Sequence, residues 1–191
     1  DNPTHHETRP RANDRTPASK PRDVRRARSE ENKLPGQFEG KTVLITGGGT
    51  GIGEAAALAM AAEGAIVTVA GRTEATLADT VAQIDAAGGT ARYAICDVTD
   101  EEAVKAAVAV AVGDNGRLDY AVNSAGIDGG NIPYDTINYP NEIFDDMLNV
   151  NVRGMFFSMR HELARMVEQG HGSVVNIGSG AGLVANPGYV G

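Results

Sequence analysis

The stretch KTVLITGGGTGIGEAAALAMAAEGAIVTVAGR, residues 41–72, constrains the fold of this chain more than any other. An apolar run at 42–46 precedes a glycine cluster, and an Ala/Leu/Met-rich stretch with helical spacing follows and ends at Gly64. A second apolar run occupies 66–70. Because both runs are continuously apolar, they are typical of parallel strands buried on both faces of a sheet. The stretch therefore predicts a β-turn-α-β unit.

The same alternation of helices and strands continues along the rest of the chain. The pattern predicts, in order, a helix at 73–87, a strand at 90–96, a helix at 100–113, a strand at 118–123, a helix at 141–169 and a strand at 173–178. Right-handed crossovers between parallel strands place helices on both faces of a sheet. Five strands alternating with helices thus favour the α/β class, as an open, doubly wound parallel sheet.

The glycine cluster between the first strand and its helix predicts a nucleotide site. Gly47, Gly51 and Gly53 have the spacing G-x-x-x-G-x-G. Glycines at such a turn let the backbone approach a pyrophosphate, and the N-terminus of the following helix offers that anion unpaired N–H groups. Glycines that only permit a tight turn are the alternative. The position after a buried strand and before an alanine-rich helix favours nucleotide binding.

Composition is ordinary for one soluble globular domain, with 191 residues, 41% hydrophobic and 22% charged. No apolar stretch approaches the roughly 20 residues of a bilayer span, and no signal-peptide pattern is present, so we expect a cytoplasmic protein that does not bind membranes. The single cysteine, Cys96, excludes an internal disulfide framework. The four histidines lack metal-ligand spacing, so we predict no metal site.

Residues 1–36 differ from the rest of the chain in charge. They carry nine basic and six acidic residues, whereas 37–191 carries eight and nineteen. Five prolines and no Ile, Phe, Tyr or Trp leave this segment little to bury, which predicts a disordered N-terminal extension. An arginine-rich patch for nucleic acid at 22–28 is the alternative. The interspersed acids and the acidic remainder favour the extension and argue against a nucleic-acid partner.

Five motifs resemble the short-chain dehydrogenase/reductase family over about residues 38–191. They are TGGGTGIG (46–53), CDVTD (96–100), NSAG (123–126), NVN (149–151) and GSVVNIGSGAG (172–182). The resemblance implies a Rossmann-like sheet with strand order 3-2-1-4-5 in the part present, and a partial NAD(P)-binding domain at 37–191. It also implies an oxidoreductase that interconverts a secondary alcohol and a ketone by hydride transfer, acting as a dimer or tetramer on a small molecule.

The resemblance assigns cofactor contacts to three motifs. It implies that the first motif contacts the pyrophosphate, at Thr46, Gly47, Gly51, Ile52 and Gly53. The resemblance also implies that Asp97 and Val98 contact the adenine. It implies that the nicotinamide ribose is bordered by Asn123, Ala125 and Gly126. This placement agrees with the rule that ligands of open α/β sheets bind outside the carboxyl ends of the strands, at the switch point.

The choice between the two nicotinamide cofactors depends on the end of the second strand, where Gly71 is followed by Arg72. NAD enzymes of this type usually have an acid there, whereas a guanidinium matches a 2′-phosphate in bidentate geometry. We therefore expect NADP(H) to be preferred, with NAD(H) possible. A solvent-facing arginine paired with Glu74 is the alternative. Thr50 departs from the basic residue that many NADP enzymes carry in the glycine loop.

Catalysis in the family uses an Asn, a Ser and a Tyr-x-x-x-Lys, of which Asn151 and Ser179 match the first two. The serine would orient the substrate oxygen, and the asparagine would hold a water of a proton relay. The family's tyrosine falls about one position after Gly191, so we expect the chain as given to lack the Tyr and Lys and to be inactive by itself. Tyr189 is the local candidate, with loop packing as its alternative role.

Truncation would remove the C-terminal strands and helices, leave the last strand as an exposed edge and favour a poorly soluble species. The alternative function is a catalytically inert nucleotide-binding or regulatory half-fold. The segment IDGGNIPYDTINYPNEIF at 127–144 would form only one wall of a substrate pocket, so the substrate is left open.

Overall fold

Five parallel strands form the sheet in the computed structural model, which describes residues 36–129 and 136–183. The strands are β1 (Thr42–Thr46), β2 (Ile66–Gly71), β3 (Thr90–Ile95), β4 (Tyr120–Asn123) and β5 (Ser173–Asn176). They lie in the order β3-β2-β1-β4-β5 with every neighbouring pair parallel. The predicted doubly wound α/β sheet and its strand order are confirmed.

Within the described ranges, five α-helices connect or follow these strands. They are α1 (Gly51–Ala62), α2 (Glu74–Ala86), α3 (Glu101–Val112), α4 (Asn141–Met147) and α5 (Met155–Gln169). α2 and α3 begin and end within one residue of their predicted bounds, and α1 ends two residues before Gly64. The long predicted helix at 141–169 is interrupted: a π-helical segment, Leu148–Gly154, joins α4 to α5.

β4 and β5 are each two residues shorter than predicted, and β3 is one residue shorter. The strand predicted to begin at 118 begins at Tyr120, since the backbone of Leu118 bonds instead to the Gln169 side chain of α5. The strand predicted to end at 178 ends at Asn176. One further ladder bond, from the amide of Ile177 to the carbonyl of Asn123, precedes the departure of the chain from the sheet.

Apolar side chains pack on both faces of the sheet. On one face α1 and α2 cover a cluster that includes Val43, Ile45, Val67, Val69 and Leu77. On the other face α3 and α5 cover a second cluster that includes Leu44, Val104, Leu118, Phe157 and Met166. Because the central strands are buried on both faces, their continuous apolar sequences are explained.

A buried carboxylate, Asp119, ties β1 to β4 at the amino end of the sheet. It is 5% exposed and accepts hydrogen bonds from the Thr42 amide at 2.9 Å and from Arg117 Nε at 2.8 Å. Burial alone would raise the pKa of Asp119, but the bonds from Arg117 and Thr42 outweigh it and lower the pKa. The carboxylate therefore stabilises the fold in its ionised form.

Parts of the sequence interpretation fall outside the described residues. Of the predicted extension at 1–36 only Gly36 is described, so its disorder and the domain boundary stay predictions. Tyr189 also lies outside. Within 36–129 and 136–183 no helix combines the length and apolar character needed to cross a membrane.

Replacement of Asp119 by Ala should lower the free energy of unfolding by about 3 kcal/mol at pH 7, because it leaves the Thr42 amide and Arg117 without their acceptor. Since the folded-state pKa of Asp119 is lowered, its contribution exists above the unfolded pKa of about 3.9 and is lost as the pH falls through the folded value. Urea unfolding between pH 7 and pH 3 measures both effects. Asp114→Ala, at an exposed acid, is the control, and equal losses in the two variants would contradict the prediction.

Candidate functional site

A cavity of about 980 Å³ opens at the carboxyl ends of the strands. Its walls come from the loops that follow all five strands and from the π-helical segment and the start of α5. Parallel strands direct their carboxyl ends to one edge of a sheet, so loops distant in sequence meet there. Ten of the thirteen predicted site residues line it: Gly47, Gly51, Ile52, Arg72, Asp97, Val98, Ala125, Gly126, Asn151 and Ser179.

The glycine loop approaches its neighbours too closely for side chains. Gly47 has a φ of +68°, and a Cβ there would lie 2.8 Å from the Ala125 nitrogen. A Cβ on Gly53 would lie 2.2 Å from the Gly47 carbonyl oxygen, so the absent side chain lets α1 pack against the loop. The loop and the start of α1 thus expose backbone to the cavity.

The first turn of α1 has no side-chain cap. Thr50 precedes it in an extended conformation and makes no capping hydrogen bond. The first amide N–H groups of a helix have no partners within the helix, and together with the helix dipole they attract an anion. Gly51 and Ile52, which carry two of these groups, line the cavity. The arrangement suits a diphosphate.

Asp97 lies at the carboxyl end of β3 and is held as an anion. Its Oδ1 accepts from the Thr99 amide at 2.9 Å and from the Thr99 hydroxyl at 2.8 Å. The Thr99 amide bond is the main cause that lowers the pKa of Asp97, and the charge of Arg72 adds a smaller effect. Neighbouring Cys96 is buried, and this burial raises the pKa of its thiol to about 11, so the thiol stays protonated.

Arg72 is exposed at the rim of the cavity and makes no ion pair within the described residues. The alternative partner considered from sequence, Glu74, instead accepts a hydrogen bond from the Tyr93 hydroxyl at 2.8 Å. Among the described residues, no acid forms an ion pair with the guanidinium. The guanidinium is therefore accessible to an anionic ligand.

Three predicted site residues lie below the cavity and do not line it. Thr46 and Asn123 are buried and face each other across β1 and β4, with Thr46 Oγ1 3.4 Å from Asn123 Oδ1. Thr46 Oγ1 also accepts from the Ala125 amide at 3.4 Å. Gly53 is buried where α1 meets the loop. These residues support the cavity floor from within the fold.

Asn151 lies in the π-helical segment and fastens the loop after β4. Its Oδ1 accepts from the Ile127 amide, and its Nδ2 donates to the Ile127 carbonyl, both at 2.8 Å. Both atoms of the amide group are thus used to position the backbone of that loop. The predicted water-holding role of Asn151 stays a prediction.

Ser179 follows β5 and lines the same cavity as Asn151 and Gly126. Sequence reasoning did not select several other lining residues, among them Thr73, Thr76, Val150 and Met155. Thr73 and Thr76 follow β2 at the N-terminus of α2, and this position after a strand was a signal available in the sequence. Val150 lies within the π-helical segment and Met155 follows it, and periodicity does not indicate this distortion.

Comparison with known proteins agrees with this geometry. The family model described as short chain dehydrogenase matches residues 41–191. The chain is 40% identical over 151 residues to 2,5-dichloro-2,5-cyclohexadiene-1,4-diol dehydrogenase of Sphingobium indicum, covering 78% of this chain and 58% of that protein. The chain therefore spans a little over half the length of the curated relatives it matches.

Solved structures are similar as well. A crystal structure of NAD⁺-bound xylitol dehydrogenase matches with a TM-score of 0.75 at 36% identity, covering 80% of this chain and 58% of that one. A structure of actinorhodin polyketide ketoreductase with NADPH matches with a TM-score of 0.73 at 32% identity, covering 78% and 57%. The two similar proteins hold different nicotinamide cofactors.

Proposed function

The chain belongs to the short-chain dehydrogenase family, and on that premise we propose that its protein is an NAD(P)-dependent oxidoreductase that interconverts a secondary alcohol and a ketone. One observation carries the proposal. The glycine loop, Asp97, Asn151 and Ser179 come from four separate regions of the sequence and meet in one cavity. A single motif, such as the glycine turn, would not by itself bring these four regions into one cavity.

A dinucleotide suits the cavity because the glycine loop exposes backbone to it and the first helix lacks a side-chain cap. Gly47, Gly51 and Ile52 would hold the diphosphate, with Thr46 and Gly53 fixing the loop from below. A bound nicotinamide would supply the hydride acceptor or donor.

The remaining cavity residues would orient the two ends of the cofactor and the substrate. Asp97 and Val98 would border the adenine, where a carboxylate can accept from an exocyclic amine. Ala125 and Gly126, supported by Asn123, would border the nicotinamide ribose. The Ser179 hydroxyl would donate to the substrate oxygen and stabilise the charge that develops there during the reaction.

For the cofactor we propose a preference for NADP(H) over NAD(H). The preference is supported by Arg72, since Glu74, its candidate partner two residues along the chain, accepts a hydrogen bond from Tyr93 instead. A guanidinium without a carboxylate partner attracts a 2′-phosphate, and its planar fork matches the phosphate oxygens.

We also propose that the protein forms a homo-oligomer through α4, the π-helical segment and α5. Apolar side chains at four- and seven-residue spacing form one exposed stripe along these elements: Phe144, Leu148, Val152, Phe156, Leu163 and Val167. A row of exposed apolar side chains of this kind is typical of a surface that another protein covers. A second copy of the same stripe would complement it across a two-fold axis.

Replacement of Arg72 by Ala should weaken NADP(H) binding about 10- to 100-fold, because a charged hydrogen-bonding partner of the 2′-phosphate is lost. NAD(H), which lacks that phosphate, should lose less than about threefold. Calorimetric titration with both cofactors measures the difference. Lys105→Ala, at an exposed position of α3, is the control. Equal weakening of both cofactors would contradict the preference.

In the full-length protein, replacement of Ser179 by Ala should lower kcat/KM for ketone reduction by about 10²- to 10³-fold, since one donor to the reacting oxygen is removed. Cofactor affinity should stay within about twofold of the wild type, because the serine acts on the substrate. NADPH oxidation with a panel of ketones, together with cofactor titration, measures both. Ser173→Ala, at an exposed position of β5, is the matched control. A binding protein without turnover on any alcohol or ketone would refute the proposed activity.

Replacement of Val152, which is 61% exposed in the apolar stripe, by Glu should shift the protein towards the monomer, because a charge would be buried at the interface. Light scattering coupled to size exclusion measures the mass. Val110→Glu changes an exposed valine on α3 and should leave the mass unchanged. A wild type that is monomeric would overturn the assignment of this surface.

A further inference from the structure

A glutamate occupies the buried face of α5. Ser158, Glu162 and Met166 recur at four-residue spacing and are all buried, so they form the stripe that packs on the sheet. Glu162 is 0% exposed and ranks among the largest fully buried side chains of the described residues. A carboxyl group at the centre of an otherwise apolar packing face requires a compensating interaction.

Glu162 bonds to a row of polar side chains that crosses three strands. Thr46, Asn123 and Asn176 are register partners on β1, β4 and β5. Asn123 Nδ2 donates to Glu162 Oε2 and to Asn176 Oδ1, each at 3.0 Å. Asn123 Oδ1 lies 3.4 Å from Thr46 Oγ1. One amide therefore joins the helix to the carboxyl ends of two strands.

The surroundings favour the neutral form of this carboxyl group. Its Oε1 has no hydrogen-bonding partner, and no cation pairs with it, within the described residues. An ionised carboxylate with a single donor would be a buried charge without compensation. Burial raises the pKa of Glu162 to about 7, against a smaller lowering effect of the Asn123 bond.

Charged groups on the elements around Glu162 are engaged elsewhere. Glu101 of α3 pairs with Arg160 and His161 of α5, at 2.6 and 3.2 Å. Arg165 pairs with Glu168 on α5, at 2.6 Å. β4 itself carries no acid, and Asp119, which directly precedes it, lies at the opposite end of the strand from Asn123. None of them is among the causes that shift the pKa of Glu162.

We propose that Glu162 is a positioning residue of the cofactor site. As a neutral carboxylic acid it accepts a hydrogen bond from the Asn123 amide, which in turn donates to Asn176. In this way Glu162 aligns the carboxyl ends of β4 and β5. The chain continues from these ends directly into Ala125 and Gly126 on one side and into Ser179 on the other. Glu162 thus acts through other residues and touches neither cofactor nor substrate. This inference rests on the proposed function for its effect on dinucleotide binding.

Three variants separate alignment from general stability. Glu162→Gln keeps the shape, the neutral charge and an acceptor for Asn123. Glu162→Ala removes the acceptor. Met166→Ala truncates another buried side chain of the same helix that takes no part in the polar row, so it controls for lost packing.

The first readout is thermal unfolding between pH 4.5 and pH 9, without cofactor. The folded-state pKa of Glu162 is raised, so its contribution is complete below the unfolded pKa of about 4.3 and is lost as the pH rises through about 7. Between about pH 4.3 and pH 7 the unfolding temperature of the wild type should therefore fall relative to that of Glu162→Gln. Above about pH 7 the difference between the two unfolding temperatures should stay constant. Parallel curves would overturn the neutral-acid assignment.

The second readout is the Kd for NADPH at pH 6.5 by fluorescence titration. Glu162→Ala should weaken binding about tenfold, because small displacements of positioning groups have effects of this order or larger. Glu162→Gln should stay within about twofold, and Met166→Ala should bind normally despite its lower stability. Normal binding by Glu162→Ala, or equal weakening by Met166→Ala, would overturn the positioning role alone. Wild type that binds neither NADPH nor NADH would refute the proposed function itself.

Discussion

The close contact between the glycine loop and the start of α1 is the constraint on which the rest of the site depends. A Cβ at Gly53 would lie 2.2 Å from the carbonyl oxygen of Gly47, and one at Gly47 would meet the backbone of Ala125. Only a chain without side chains at both positions allows α1 to lie against the sheet while its first N–H groups line the cavity. The loop after β4 is packed against the same contact.

The two ends of the sheet have different tasks. At the amino end, Asp119 is ionised and compensated by Arg117 and the Thr42 amide, and it stabilises the pairing of β1 with β4. At the carboxyl end, Thr46, Asn123 and Asn176 form a row of neutral polar groups under the cavity. A buried carboxyl group occurs at each end. Its charge state follows from its donors: Asp119 has several, and Glu162 has one.

Much of the fold could be predicted because its elements have local signals. The apolar runs of β1 and β2 and the glycine turn specify the first β-α-β unit, and the strand order followed from the family motifs. The π-helical segment could not be predicted, since residues 141–169 keep a helical pattern throughout and such a pattern does not distinguish a π turn from an α turn. This segment carries Asn151, whose amide meets the Ile127 backbone 24 residues earlier in the chain.

The sequence by itself determined the fold class, the family and ten of the twenty-four residues that line the cavity, because turn glycines and motif order are local properties of the chain. Only the tertiary structure decided which side chains compensate one another. It engages Glu74 with Tyr93 and so leaves Arg72 accessible, and it joins Glu162 to Asn123 across 39 positions of sequence. Hydrogen bonds between distant segments depend on how the elements pack, and no periodicity within one element encodes them.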